Sequence, residues 1–251
     1  MPSQAITFYD IPSKPGGAQT RSFNTLKTRF ALGYKGLTFE TVWVGYADIE
    51  KVCKEVGASP TGIRRNGEPH YTLPVIHDHS TGRVVSDGYV IAKYLDEQYP
   101  DTPKLLHPGT EALQTTFVHA HMGAVSPIFP LILGLIGPTF EPRHADAFRR
   151  AREIEFGRKL EEVIPADAAA RKAQWALAKD GYDTVDAWLQ KSGGPFAMGD
   201  TISFVDGTIA SFLFTFKHLF GEESTEWQDI KKWNDGRWGK FLSDLEKYFK
   251  E

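Results

Sequence analysis

Over the first hundred residues the spacing of apolar positions changes period repeatedly, and that alternation predicts the order of the elements. Ala5–Ile11 reads as a short apolar strand, Ser13–Ser22 as a Gly/Ser/Pro-rich loop, and Asn24–Tyr34 as a helix carried by Leu26, Phe30 and Leu32. Phe39–Val44 alternates with period two, Asp48–Val56 reads as a short helix, and Gly57–Pro69 as a polar loop. Leu73–His77 and Arg83–Val85, joined by the turn Asp78–Gly82, predict a hairpin, and Asp87–Gln98 predicts the helix that follows. The order is βαβαββα.

Leu73-Pro74-Val75-Ile76 stands out in that series. A proline inside an apolar strand-like run removes a ladder donor and is normally confined to edges or bulges. A cis Leu73–Pro74 bond accounts for it, leaving the amide and carbonyl of Leu73 facing outward to pair with an extended ligand. Ser86-Asp87-Gly88 then opens a helix, with Ser86 predicted as N-cap and Asp87 in the first turn, so that unpaired N–H groups and a positive dipole face an anion. Taken alone, the same residues also read as an ordinary turn proline before an ordinary capped helix.

Beyond Tyr99–Pro108, where Pro100, Pro103 and Pro108 punctuate the chain, strand periodicity disappears. Glu111–Gly123, Pro142–Glu161, Ala166–Gly193, Val205–Phe220 and Trp238–Phe249 carry helical periods. The apolar run Ala124–Ile136 is interrupted by Pro127, Pro130 and Gly134 and is too short to span a bilayer. Ser203-Phe-Val-Asp206 has the spacing of a capping box with Asp206 in place of Glu or Gln. The helix it opens is apolar around nearly its whole circumference, which places it at the centre of a domain.

Composition narrows the function classes. A formal net charge of −3 with Lys and Arg dispersed leaves no footprint for nucleic acid. The single cysteine, Cys53, excludes an internal disulfide and suggests a reducing compartment. Met1–Ser13 lacks the basic-then-apolar layout of a signal peptide, so a cytoplasmic chain is expected. His119 and His121 fall on different helix faces, and His77-Asp78-His79 sits at a turn, so no metal site is predicted.

The βαβαββα order with the Leu-Pro-Val-Ile strand and the acidic-then-small helix start resembles the thioredoxin-like N-terminal domain of glutathione transferases. The Ser-x-x-Asp box before a buried helix is similar to the same family. Ser22-x-Asn24-Thr25-x-Lys27-Thr28-Arg29-Phe30-Ala31-Leu32, Tyr34-Lys35-Gly36-Leu37, Thr41-Val42-Trp43-Val44 and Tyr94-Leu95-Asp96-Glu97-x-Tyr99-Pro100-Asp101-Thr102-Pro103 resemble, more narrowly, the fungal-specific A-type members. Those are in turn similar to bacterial lignin β-etherases. The resemblance implies a thioredoxin-like α/β domain over residues 1–99, a linker over 100–108, and an all-α domain over 109–251. It also implies glutathione as co-substrate, a homodimer, and a wide hydrophobic pocket for aromatic or phenolic ligands. Leu73, Pro74, Asp87 and Gly88 then correspond to the glutathione-binding elements, with Asp87 facing the γ-glutamyl amine, and Arg64 and Arg65 are candidates for the glycyl carboxylate.

In that fold the reactive corner follows the first strand. This chain carries Ser22-Phe23-Asn24-Thr25 there, which removes dithiol exchange, and Cys53 lies in the second helix pattern, where burial is its ordinary fate. Ser22 can donate its hydroxyl proton to the glutathione sulfur. A thiol of pKa about 8.5 is about 3% ionised at pH 7, and lowering it by about two units requires roughly 2.7 kcal/mol. A hydrogen bond to a charged acceptor supplies roughly 1.5–3 kcal/mol, and a helix N-terminus adds roughly 0.3–1 kcal/mol. Ser22 with backbone or Asn24 donors therefore suffices without a metal, although both residues are also favoured helix caps.

Two positions depart from the family pattern. Gly88 stands where a serine usually meets the γ-glutamyl carboxylate, and Phe23 where proline is expected. A second-substrate pocket is expected where the first helical segment of the second domain faces Ser22, with Phe23, Phe117, His121, Met122 and Phe129 as candidate lining, although such spacing also suits core residues. The expected function is glutathione transfer to electrophilic aromatic, peroxide or aryl-ether substrates. The alternatives are a slow or non-catalytic carrier of hydrophobic phenolics and, third, an interaction module that kept only the fold.

Overall fold

In the computed structural model, which describes residues 6–12, 22–64 and 66–249, strand β1 (Ile6–Asp10) lies inside a four-stranded sheet. It pairs in parallel with β2 (Phe39–Trp43), Ile6 opposite Phe39, after the crossover helix α1 (Phe23–Tyr34). On its other side it pairs antiparallel with β5 (Val75–Asp78), which forms a hairpin with β6 (Arg83–Ser86). Helices α2 (Ile49–Glu55) and α3 (Gly88–Gln98) complete a thioredoxin-like α/β unit. The segment expected to be a plain polar loop also carries a two-residue ribbon, β3 (Gly62–Ile63) against β4 (Pro69–His70). The Arg64–Glu68 and Gly67–Arg64 backbone bonds close its turn, a pairing too short to leave a periodicity in the sequence. Residues 13–21 and Arg65 lie outside the described residues.

The helical half comprises α4 (Glu111–Val125), α5 (Phe129–Ile136), α6 (Pro142–Phe156), α7 (Leu160–Val163), α8 (Ala168–Leu189), α9 (Phe204–Phe220) and α10 (Thr225–Leu245). Two expectations are corrected here by the same physics. The apolar run 124–136 is not merely interrupted, because Pro127 and Pro130 each sit at the first positions of a new helical turn, where the missing N–H is no loss. The pattern over 142–161 is not one helix, because Gly157 (φ 67°) takes the left-handed C-cap that ends α6. The last helix begins at Thr225, well before the predicted Trp238, with a kink over Trp233–Gly236. There Asn234 accepts from Trp238 Nε1 at 2.6 Å and donates to Asp183 at 2.8 Å. By length and composition alone the stretch Glu111–Thr139 could cross a bilayer. Its prolines divide it, and Val125, Ile128, Leu131 and Ile132 are buried in the bundle.

One core joins both halves. Phe8, Leu26, Phe30, Ile76, Ile91 and Leu95 of the sheet unit belong to the same buried cluster as Phe212, Phe216 and Trp238. Helix α9 reaches α1 closely because position 207 is glycine: a Cβ there would come within 2.2 Å of the Phe30 ring. Ser203 and Asp206 form the predicted capping box, and twelve residues of α9 are buried, as its all-round apolar pattern required. The connection between the halves, residues 99–110, is tied down. The buried Asp96 carboxylate accepts from the N–H groups of Leu105 (3.0 Å) and Leu106 (2.7 Å) and from Lys35 Nζ (2.7 Å).

Candidate functional site

Ser22 is the N-cap of α1. Its Oγ accepts weakly from the Thr25 N–H at 3.5 Å, and Thr25 Oγ1 donates to the Ser22 carbonyl at 3.2 Å. The hydroxyl thus stands at the positive end of a helix with a long, weak cap bond. Asn24 is exposed in the first turn, and its Oδ1 accepts from Lys27 Nζ at 3.2 Å. With the oxygen so engaged, the amide donor end faces away from Lys27.

Ser22, Phe23 and Asn24 open onto a cavity of about 550 Å³ between the two halves. Leu73 and Tyr71 belong to its wall from the sheet unit, and Met122, Phe129, Phe140 and Phe148 from the helical half. Phe23 stacks on Phe212 at 4.3 Å and meets Phe129 at 5.6 Å, so the departure from proline builds an aromatic floor beside Ser22. At the far side Tyr46, Phe140 and Phe148 contact one another, with ring centroids 5.4–5.8 Å apart. Two ion pairs flank this cavity, Arg64–Glu50 at 3.0 Å and Arg152–Glu155 at 2.6 Å. Between them burial, and then the neighbouring guanidinium charges, push His70 below its ordinary value.

The adjoining corner is built by Pro74, Asp87 and Gly88. The Leu73–Pro74 bond is cis, and the Pro74 carbonyl accepts from the Asp87 N–H at 3.3 Å. Neither backbone group of Leu73 is hydrogen-bonded among the described residues. The cap of α3 is Asp87, not Ser86: Asp87 Oδ1 accepts from Tyr89 N–H (2.9 Å) and Val90 N–H (3.1 Å), while the Ser86 hydroxyl is buried without a partner. The one-residue shift follows from the backbone. Asp87 takes φ 77°, ψ 132°, a strained conformation for a residue with a Cβ, which turns its carboxylate onto the helix start. Gly88 itself has no positive φ, so a side chain is sterically tolerable there.

Of the five pocket candidates, Phe23, Met122 and Phe129 line the cavity and Phe117 and His121 do not. Phe117 packs on Trp188 at 5.7 Å, and His121 on Phe212 at 5.1 Å. Four residues apart, they share the face of α4 that turns into the bundle, whereas Met122 lies on the next face. Burial, and then the Lys27 charge, push His121 down to about 3, so it is neutral. Cys53 is buried in α2 and its thiol is pushed up to about 11 by burial. Arg64 reaches the cavity wall already paired with Glu50. No cluster of three His, Cys, Asp or Glu suited to a metal occurs among the described residues.

The sequence reading missed the wall supplied by α6 and the placement of Lys27. Phe148, Ala151, Arg152 and Glu155 recur at helical spacing and form that wall, a signal present in the sequence but indistinguishable from a core stripe. Lys27 lies three residues after Asn24 on the same helix face. Its stem passes under Gly88, and burial pushes its ammonium down to about 8 against the pull of Asp87.

Comparison with known proteins gives a consistent picture. Residues 21–98 match the glutathione S-transferase N-terminal domain, and residues 112–248 match the glutathione S-transferase C-terminal domain. A glutathione S-transferase of Ceriporiopsis subvermispora, solved in complex with glutathione, is 42% identical over 98% of both chains, with a TM-score of 0.91. The glutathione transferase GSTFuA3 of Phanerochaete chrysosporium is 37% identical over 98% of this chain and 97% of its own, with a TM-score of 0.90. A glutathione S-transferase-like protein of Aspergillus flavus is 29% identical over 92% of this chain and 86% of its own length.

Proposed function

The chain belongs to the glutathione S-transferase family, and from that premise we propose that it binds glutathione at the Leu73–Pro74 and Asp87–Gly88 corner and ionises its thiol with Ser22. The observation that carries this reading is the position of Ser22: a hydroxyl at the N-terminus of α1, on the wall of an aromatic-lined cavity large enough for a second substrate. Leu73 offers its free amide and carbonyl to an extended peptide, and Asp87 offers its second carboxylate oxygen to an amine. Asn24 adds its amide donor beside the sulfur. The thiolate then attacks an electrophilic aromatic, peroxide or aryl-ether substrate held among Phe23, Met122 and Phe129, forming the new bond to sulfur and expelling the leaving group. The fungal relatives support placing the chain with the fungal-specific A-type transferases, and that grouping carries the homodimer, the cytoplasmic setting and the phenolic ligands as part of the proposal.

A carrier of hydrophobic phenolics is the second reading. The weak cap bond of Ser22 and the size of the cavity are compatible with storage without turnover. Titrating glutathione onto wild type and Ser22→Ala while following the ultraviolet thiolate signal across pH separates the two. The transferase reading expects a depressed thiol pKa in wild type, by about two units, that returns to its ordinary value in the variant. Binding without ionisation in wild type transfers the case to the carrier.

A further inference from the structure

A lysine stem runs beside the start of α3. Among the described residues Lys27 makes no ion pair: its hydrogen bond goes to the neutral Asn24 Oδ1, and the rings of Phe23 and Phe212 lie 5.9 and 5.8 Å away. Its stem passes under Gly88, where an added Cβ would stand 3.7 Å from Lys27 Cβ and 3.8 Å from Cδ. The half-buried cation is drawn towards Asp87, the residue preceding that glycine. At the same helix end Asp87 Oδ1 already consumes the N–H groups of Tyr89 and Val90, which leaves the Gly88 N–H as the remaining first-turn donor for an anion. A helix end so depleted holds a carboxylate poorly, and the half-buried ammonium of Lys27 has no ion pair of its own among the described residues.

A carboxylate oxygen and an N–H at this helix start, with the lysine stem passing beside them, complement a carbon that bears both an amine and a carboxylate once the flexible lysine head turns from Asn24. Glutathione carries one such zwitterionic head, at its γ-glutamyl end. Resting on the glutathione reading above, we infer that Lys27 binds the α-carboxylate of that head and supplies the charge that the missing hydroxyl at position 88 does not. Asp87 takes the amine, and Gly88 N–H and Lys27 share the carboxylate.

The test uses S-methylglutathione, which has no ionisable thiol, and the same peptide lacking only the α-carboxylate, γ-aminobutyryl-S-methylcysteinylglycine. Calorimetric titration of wild type should show at least about a tenfold preference for the first, equivalent to about 1.4 kcal/mol. Lys27→Met keeps the apolar stem and should reduce the preference below about threefold, with Lys27→Gln as a second variant should the first fail to fold. Adding Gly88→Ser to either should restore part of it. A folded Lys27 variant that retains the full wild-type preference overturns the assignment, as does a wild type that binds both peptides equally. A wild type that binds neither peptide overturns the glutathione reading itself and the role of Lys27 with it.

Discussion

Asp87, before α3, and Asp206, in the first turn of α9, are acidic residues at the same kind of position, a helix N-terminus. Asp206 is fully buried, and its carboxylate is used up by the N–H groups of Ala197 and Ser203 (both 2.8 Å) and the Ser203 hydroxyl (2.7 Å). Asp87 is exposed, spends one oxygen on its cap, keeps the other open, and holds a backbone conformation that costs about 1–3 kcal/mol. The same residue type at the same kind of position therefore spends its whole carboxylate on folding in one half and keeps one oxygen open in the other. What separates them is burial, together with whether the carboxylate has lone pairs left to give.

The largest test of this contrast is Asp206→Ala. It strands two buried donors of Ser203 and the part-buried Ala197 N–H, each worth about 1–3 kcal/mol, so denaturant unfolding should show a loss of about 3 kcal/mol or more. Almost as large is the pH dependence of the same group. Burial raises the Asp206 carboxyl from 3.8 to about 6, against its hydrogen bonds. Between those values the folded chain holds a proton that the unfolded chain has released, so the contribution of Asp206 to stability falls as pH rises from about 4 to about 6. The drop should be about 3 kcal/mol, and it should be missing from the unfolding curves of Asp206→Asn. A flat wild-type profile across that window would mean that the hydrogen bonds balance burial, and a rising one that they outweigh it.

Asp87→Asn probes the other side of the comparison. Asparagine caps as well and tolerates positive φ, so stability should change by less than about 0.5 kcal/mol. Removing the charge should nonetheless weaken glutathione by about tenfold or more, a loss of about 1.4 kcal/mol or more. If stability falls and affinity does not, Asp87 is a structural cap alone. The smallest effect belongs to Ser86→Ala. Its hydroxyl has no partner to lose, so thermal unfolding should shift by less than about 0.5 kcal/mol, whereas a true N-cap serine would cost about 1 kcal/mol.

Local rules were legible where the chemistry is local. The period changes over Ala5–Gln98 predict the strands and helices of the sheet unit to within a few residues, because side-chain direction follows backbone type. The proline in Leu73-Pro74-Val75-Ile76 pointed to the cis bond, and Ser203–Asp206 to the capping box, since each depends on neighbours within a few positions. The same rules failed where a choice among helix faces was needed. Phe117, His121 and Met122 look equivalent in the sequence, yet only Met122 reaches the cavity. Nor does any spacing tell that Phe148 and Arg152 of α6 close over a site whose reactive corner is more than a hundred residues earlier.

By itself, then, the sequence determined the order of elements, the capped central helix α9, the absence of a second cysteine for dithiol chemistry, and a serine, Ser22, at the start of the first helix. Each of these is a statement about backbone preference, hydrophobic period or residue inventory, and none needs a distant partner. The tertiary structure alone decided that Asp87 rather than Ser86 caps α3, that Phe23 lies on Phe212, and that the Lys27 stem runs under Gly88. Those outcomes depend on how α1, α3, α4 and α9 pack around one core, and packing distances between helices far apart in the chain are not written in any local pattern.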